Sequence, residues 1–126
     1  MAGLLVLTGG DEFHPSCAET DLFALNFTTI KEKLVLILPT AAEYELSGEK
    51  AFSNAKHYFE TLGFKSDCIN IYSRTQANDP SQADKLMWAT HLYIVGGNPL
   101  YLLKTLKDTI FIDKVWNWLR EGNVLL

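Results

Sequence analysis

Apolar residues fall into two alternating patterns along this chain. Unbroken apolar runs at 3–8, 34–38 and 92–95 are each closed by glycine or proline. Runs of that length fit strands buried on both faces. A shorter and more polar run at 68–72 reads as a strand nearer a sheet edge. Between the runs, apolar residues recur at helical spacing. The clearest case is Ala51, Phe52, Ala55, Tyr58, Phe59 and Leu62, one face of a helix that starts near Ser47 and is capped by Gly63. Ser16 and Glu19 form a capping-box pattern ahead of Leu22, Phe23, Leu25 and Phe27, predicting an earlier helix. Residues 73–78 are polar and read as a loop. Asp79-Pro80 and Asn98-Pro99 each place proline at a first helical position. The helices they open carry Ala83, Leu86 and Met87, and Leu100, Leu103 and Leu106. A last helix over 110–121 turns Phe111, Ile112, Val115, Trp116 and Leu119 inward, leaves Trp118 off that face, and ends at Gly122. Four strand–helix alternations with strands apolar throughout predict an α/β protein, an open doubly wound parallel sheet flanked by helices.

A fifth apolar run starts at Asn123 and is still in progress at Leu126. That ending predicts a single α/β domain over 1–126 that is truncated at its fifth strand and forms the N-terminal part of a longer domain.

Length and charge narrow the function classes. A chain of 126 residues suits one domain. With 48% hydrophobic and 21% charged residues, intrinsic disorder is disfavoured. A formal charge of −4 disfavours binding to phosphate backbones, so no nucleic-acid partner is expected. No apolar run approaches the roughly 20 residues a membrane helix needs, so no membrane partner is expected either. The N-terminus lacks the basic start of a signal peptide. Cys17 and Cys68 fit neither a disulfide framework nor a metal-ligand spacing. The pattern is that of a cytoplasmic protein with two reduced thiols and no metal or organic cofactor.

The glycine turns hold the candidate chemistry. Gly9-Gly10-Asp11-Glu12-Phe13 spells the signature of diguanylate cyclases, but only eight residues precede it and a helix follows it, so the context is wrong. Gly96-Gly97-Asn98-Pro99 leaves an apolar strand and opens a helix. Its free N–H groups and positive dipole end suit an anion or a developing oxyanion. The alternative is a tight turn with Asn98 as an ordinary N-cap. Neither a dinucleotide fingerprint nor a P-loop occurs. None of His14, His57 and His91 pairs with another His or a Cys at metal-ligand spacing, and His14 lies nearest the strand ends.

Taken together, Gly9-Gly10 after the first strand, Pro39-Thr40-Ala41 after the second, Gly96-Gly97-Asn98 with Leu100, Leu102, Leu103 and Leu106 behind it, and Gly122-Asn123-Val124 form a pattern that covers the whole chain. It resembles the N-terminal half of the dipeptidase E and cyanophycinase family of serine peptidases. The resemblance implies a fold like the class I glutamine amidotransferases and hydrolysis of a peptide or isopeptide bond through an acyl-enzyme. It implies that the serine nucleophile and the histidine base lie beyond Leu126, so that these residues alone are inactive. Gly97 would lend its backbone N–H to the oxyanion hole. Asn98 would contact substrate, with Gly96, Gly9, Gly10, Glu12, Thr40 and Ala41 around the same cleft. A peptide substrate is the implied partner, and a homodimer through Trp116 or Trp118 stays open. Three rivals stand beside this reading: a non-catalytic binding or regulatory module, a cysteine-dependent amidotransferase-like enzyme, and a flavodoxin-like ligand-binding domain.

Overall fold

In a computed structural model, described for residues 3–8, 12–28, 32–42 and 48–126, the apolar runs pair as one parallel sheet. Its strands are β1 (Leu4–Leu5), β2 (Leu34–Leu38), β3 (Lys65–Cys68), β4 (His91–Ile94) and β5 (Val124–Leu125), in the order β1-β5-β4-β2-β3. Leu36 sits beside both Asp67 and Leu92, and Leu92 beside Leu125. The fifth run is therefore an interior strand, held between β4 and β1.

Helices cover both faces, as the unbroken apolar strands require. Val35 and Ile37 face α1 (Ala18–Leu25) and α2 (Gly48–Thr61), where Leu25, Ala51, Ala55 and Phe59 are buried. Leu36 and Leu38 face the opposite layer of α3 (Arg74–Ala77), α4 (Pro80–Ala83), α5 (Pro99–Leu106) and α6 (Ile110–Arg120), where Phe111, Val115 and Trp118 are buried. Gly63 follows α2 at φ +86°, the left-handed conformation that closes a helix. The predicted start of this helix at Ser47 lies outside the described residues.

Several expectations are corrected. The first run is not buried on both faces. It pairs only over Leu4 and Leu5, at the sheet edge, and leaves Leu5 51% and Leu7 86% exposed. The Ser16 capping box does not form, because Ser16 lies in a 3₁₀ turn whose cap is His14 Nδ1, which accepts from Ser16 N–H at 3.1 Å. The stretch at 73–78 is not an open loop; Ser73 caps a single helical turn, α3. The edge strand around Cys68 ends earlier than its apolar run, and Ile69 and Ile71 are buried beyond it. In α6 the tryptophans exchange roles. Trp118 is buried with its Nε1–H donating to the Ala89 carbonyl at 3.1 Å, whereas Trp116 is half exposed. Leu100, Leu103 and Met87 are exposed too, so α5 buries only part of its predicted stripe.

Candidate functional site

Because every strand runs the same way, the turns leaving β1, β2 and β4 gather at one end of the sheet. This is the end where open α/β sheets place their sites. Three segments meet there: Glu12-Phe13, the 3₁₀ turn Thr40–Ala42, and Gly96-Gly97-Asn98. Gly9 and Gly10 lie outside the described residues.

The turn after β4 is built around Gly97. Its φ of +152° is one that L side chains rarely adopt. A Cβ there would fall 2.0 Å from the Ala41 carbonyl oxygen. The same oxygen accepts the Asn98 N–H at 2.8 Å. Asn98 Oδ1 in turn accepts from Tyr101 N–H at 3.0 Å and caps α5. Asn98 is thus the helix cap its Asn-Pro sequence predicts, with its main-chain N–H and side-chain oxygen both engaged. Thr40 and Ala41 stand against the turn but are buried: the Thr40 hydroxyl donates to the Ile71 carbonyl at 2.5 Å, and Ala41 presents backbone. The Gly96 N–H donates to Glu12 Oε2 at 2.7 Å. That leaves the Gly97 N–H, which is exposed and has no hydrogen-bond partner among the described residues.

Phe13 explains how Glu12 reaches the glycine turn. Its ring packs against Tyr93, Tyr58 and Phe59 at centroid distances of 5.2, 5.8 and 6.3 Å. Its backbone sits at φ +64°, uncommon and costly for a bulky residue. Burial of the ring offsets that strain and aims the preceding carboxylate across the sheet end. Beside it, a groove of about 710 Å³ runs along α2, lined by Glu12, Phe13, Pro15, Ser53, Asn54, His57, Tyr58 and Thr61. A smaller cavity of about 210 Å³ continues past Glu12, Phe13 and Asn54 to Val95 and Gly96.

Under Phe13 lies a polar pair that the sequence reading did not identify. The Tyr58 hydroxyl donates to Asp21 Oδ2 at 2.5 Å, and Asp21 is fully buried, its Oδ1 unpartnered among the described residues. Burial raises the Asp21 carboxyl above the ordinary carboxylate range, partly opposed by the Tyr58 bond. Burial and the Asp21 charge push the Tyr58 hydroxyl up as well. The signal was available: Asp21 falls one helical turn before Leu25, on the inward side of α1.

The titratable candidates separate clearly. His91 is a buried core residue, its Nε2 at 2.9 Å from the Ala24 carbonyl and its Nδ1 at 2.8 Å from the Thr90 hydroxyl. Burial lowers its pKa. His14 caps the 3₁₀ turn, and His57 is exposed on α2 at the groove. Cys68 ends the edge strand β3, and burial raises its thiol, which disfavours the reactive thiolate. Among the described residues no group of three or more His, Cys, Asp or Glu is placed to hold a metal ion. No described helix is long and apolar enough to cross a membrane.

Residues 4–126 match the model of peptidase family S51. A peptidase from an acI-B1 actinobacterium has the same fold at a TM-score of 0.87 and 27% identity, over 99% of this chain and 53% of that one. A candidate peptidase E protein from Listeria monocytogenes EGD-e superposes at a TM-score of 0.65 and 23% identity, over 99% of this chain and 57% of that one, a likeness of fold. The chain thus spans about half the length of these solved structures. No curated protein matches it.

Proposed function

The chain belongs to peptidase family S51, and from that premise we propose that it supplies the oxyanion-hole side of a serine-type peptidase site, acting on a peptide or isopeptide bond in the cytoplasm. The observation that carries this reading is that Gly97 is exposed and its N–H is unpartnered among the described residues, at the end of an interior strand and at the start of α5. Acyl transfer passes through a tetrahedral oxyanion, and a fixed backbone N–H aimed at that oxygen is a large part of catalysis. The second donor is the N–H that follows the nucleophile.

No serine among the described residues stands at an elbow between an interior strand and a helix. Ser53 is on α2, and Ser66 is within β3. In this reading the serine is carried beyond Leu126 on the continuation of β5, which lies directly beside β4, and its histidine base further along the chain. Thr40, Ala41 and Asn98 then serve by shaping the Gly97 turn, and the groove beside Glu12 receives the substrate.

The test is to express the reading frame continued past the Leu126 codon and treat it with a fluorophosphonate. Labelling of a serine in a Gly-x-Ser-x-Gly elbow, abolished by changing that serine to alanine, is the expected result. Labelling of a cysteine there by iodoacetamide instead would favour an amidotransferase-like enzyme. A frame with neither nucleophile would leave a binding module. Residues 1–126 alone are expected to hydrolyse no dipeptide.

A further inference from the structure

Asp21 is a costly residue where it stands. It lies in the first turn of α1 and is fully buried. Its Oδ2 accepts the Tyr58 hydroxyl at 2.5 Å, and its Oδ1 has no partner among the described residues. One hydrogen bond does not offset the lost hydration of a carboxyl group. An apolar pair of the same shape would fill the space at lower cost. The pair is therefore better explained by what it holds in place than by the stability it adds.

One stretch of chain grips Tyr58 at both ends. Phe13 lays its ring against the Tyr58 ring at 5.8 Å, and Asp21, further along, holds the hydroxyl. Only the 3₁₀ turn Pro15–Cys17, its cap His14 and the start of α1 lie between the two grips, so they are stiffly joined. Phe13 is the residue at φ +64°, and Glu12 before it accepts the Gly96 N–H. A hydrogen bond on α1 is thus linked to the glycine turn after β4 by an unbroken series of contacts. Contact alone does not couple two places; an element with two arrangements is needed between them. Phe13 supplies it. A left-handed backbone is disfavoured for a bulky side chain, and it relaxes to an ordinary φ once the aromatic seat loosens.

We propose that Asp21 is a positioning residue: by holding the Tyr58 hydroxyl it locks the seat of Phe13 and so fixes the Gly96-Gly97 turn. That the turn serves an oxyanion rests on the acyl-transfer reading above; that Asp21 positions it does not.

Three variants test this. Tyr58→Phe removes the hydroxyl and keeps the ring. Tyr58→Phe with Asp21→Leu removes the buried carboxyl group too, which separates stability from position. Asp21→Asn keeps an oxygen that can accept the Tyr58 hydroxyl. The Gly96 and Gly97 amide signals of each ¹⁵N-labelled chain are followed, with Gly122, at the other end of the sheet, as the control for folding. Tyr58→Phe is expected to displace both turn signals and leave Gly122 in place. The double variant is expected to regain stability in denaturant unfolding while its turn signals stay displaced. Asp21→Asn is expected to keep them near their parent positions. In the reading frame continued past Leu126, fluorophosphonate labelling should slow roughly two- to thirtyfold in Tyr58→Phe, and less in Asp21→Asn.

Unmoved turn signals in Tyr58→Phe would overturn the proposal. So would turn signals that return in the double variant together with stability, which would reduce the pair to packing. Signals displaced as far in Asp21→Asn as in Tyr58→Phe would also overturn it, because the hydrogen bond would not then be what matters. If Tyr58→Phe alone does not fold, the double variant decides in the same terms. The two readings fail separately. Displaced turn signals without a labelled nucleophile in the continued frame leave the positioning role standing and the peptidase reading fallen. A labelled serine with unmoved turn signals does the reverse.

Discussion

The two faces of the sheet are packed to different standards. The layer of α3 to α6 is filled by aliphatic side chains with Phe111 and Trp118, and its buried Thr109 caps α6. The layer of α1 and α2 buries Asp21, His91, Tyr58 and Tyr93 among its apolar residues. The glycine turn, Glu12 and the groove all adjoin this second layer. Both faces match donors to acceptors, but among the described residues only the second buries ionisable side chains, Asp21 and His91, which makes it dependent on protonation.

The sharpest way to test that contrast is to remove a large side chain from each face. Phe59→Ala and Phe111→Ala, both at fully buried positions, should each cost about 3–5 kcal/mol in denaturant unfolding. Apolar packing alone should not distinguish the faces. Gly97→Ala comes next. Its Cβ would strike the Ala41 carbonyl, so a loss of at least about 2 kcal/mol is expected, with displacement of the Asn98 amide signal. Tyr58→Phe strips Asp21 of its hydrogen bond and should cost about 1–3 kcal/mol, unless paired with Asp21→Leu, which should recover part of the loss.

A pH difference follows from His91. Its folded pKa is depressed, so the unfolded chain binds a proton first as pH falls, and stability is lost below about 6.5 towards the folded value. Asp21 acts in the opposite direction. Its folded pKa is raised, so its contribution is greatest below about 3.8 and is lost as pH rises through the folded value. Unfolding free energies measured from about pH 7.5 down to about pH 5.5 should therefore fall in the parent protein. They should fall less steeply in His91→Gln, whatever that variant's absolute stability. The smallest effect is at the surface: Trp116→Ser should stay within about 0.5 kcal/mol, while Trp118→Phe loses the bond to Ala89 and about 1 kcal/mol. Equal losses at the two tryptophans would mean that the outer side of α6 is covered after all.

Much of this architecture is legible without coordinates because it rests on short-range rules. The apolar blocks of β2 and β4, the period of α2, and the proline and asparagine opening α5 all act within a few residues. What failed depended on neighbours far along the chain. The first run looks like an interior strand, but its placement at the edge is decided by which strand pairs with it. Trp116 and Trp118 differ by two residues, and their fates were set by the Ala89 carbonyl, 29 positions from Trp118. In the site, the Gly97 turn could be read from its own residues. The approach of Glu12 could not, because it depends on Phe13 accepting a left-handed backbone in exchange for a place among Tyr58, Phe59 and Tyr93.

The Ala41 carbonyl has a consequence for anyone who redesigns this scaffold. It accepts from Asn98 and sets the clearance at Gly97, so the connection after β2 acts as a gauge for the one after β4. Lengthening residues 39–42 by one residue would shift that gauge and misplace the turn, even with every residue from 96 to 98 intact. The connection after β3 is tied to the same turn, because the Ile71 carbonyl accepts the Thr40 hydroxyl and Ile69 and Ile71 are buried. Loop grafting should fail between β2 and α2 until the Ala41 contact is rebuilt.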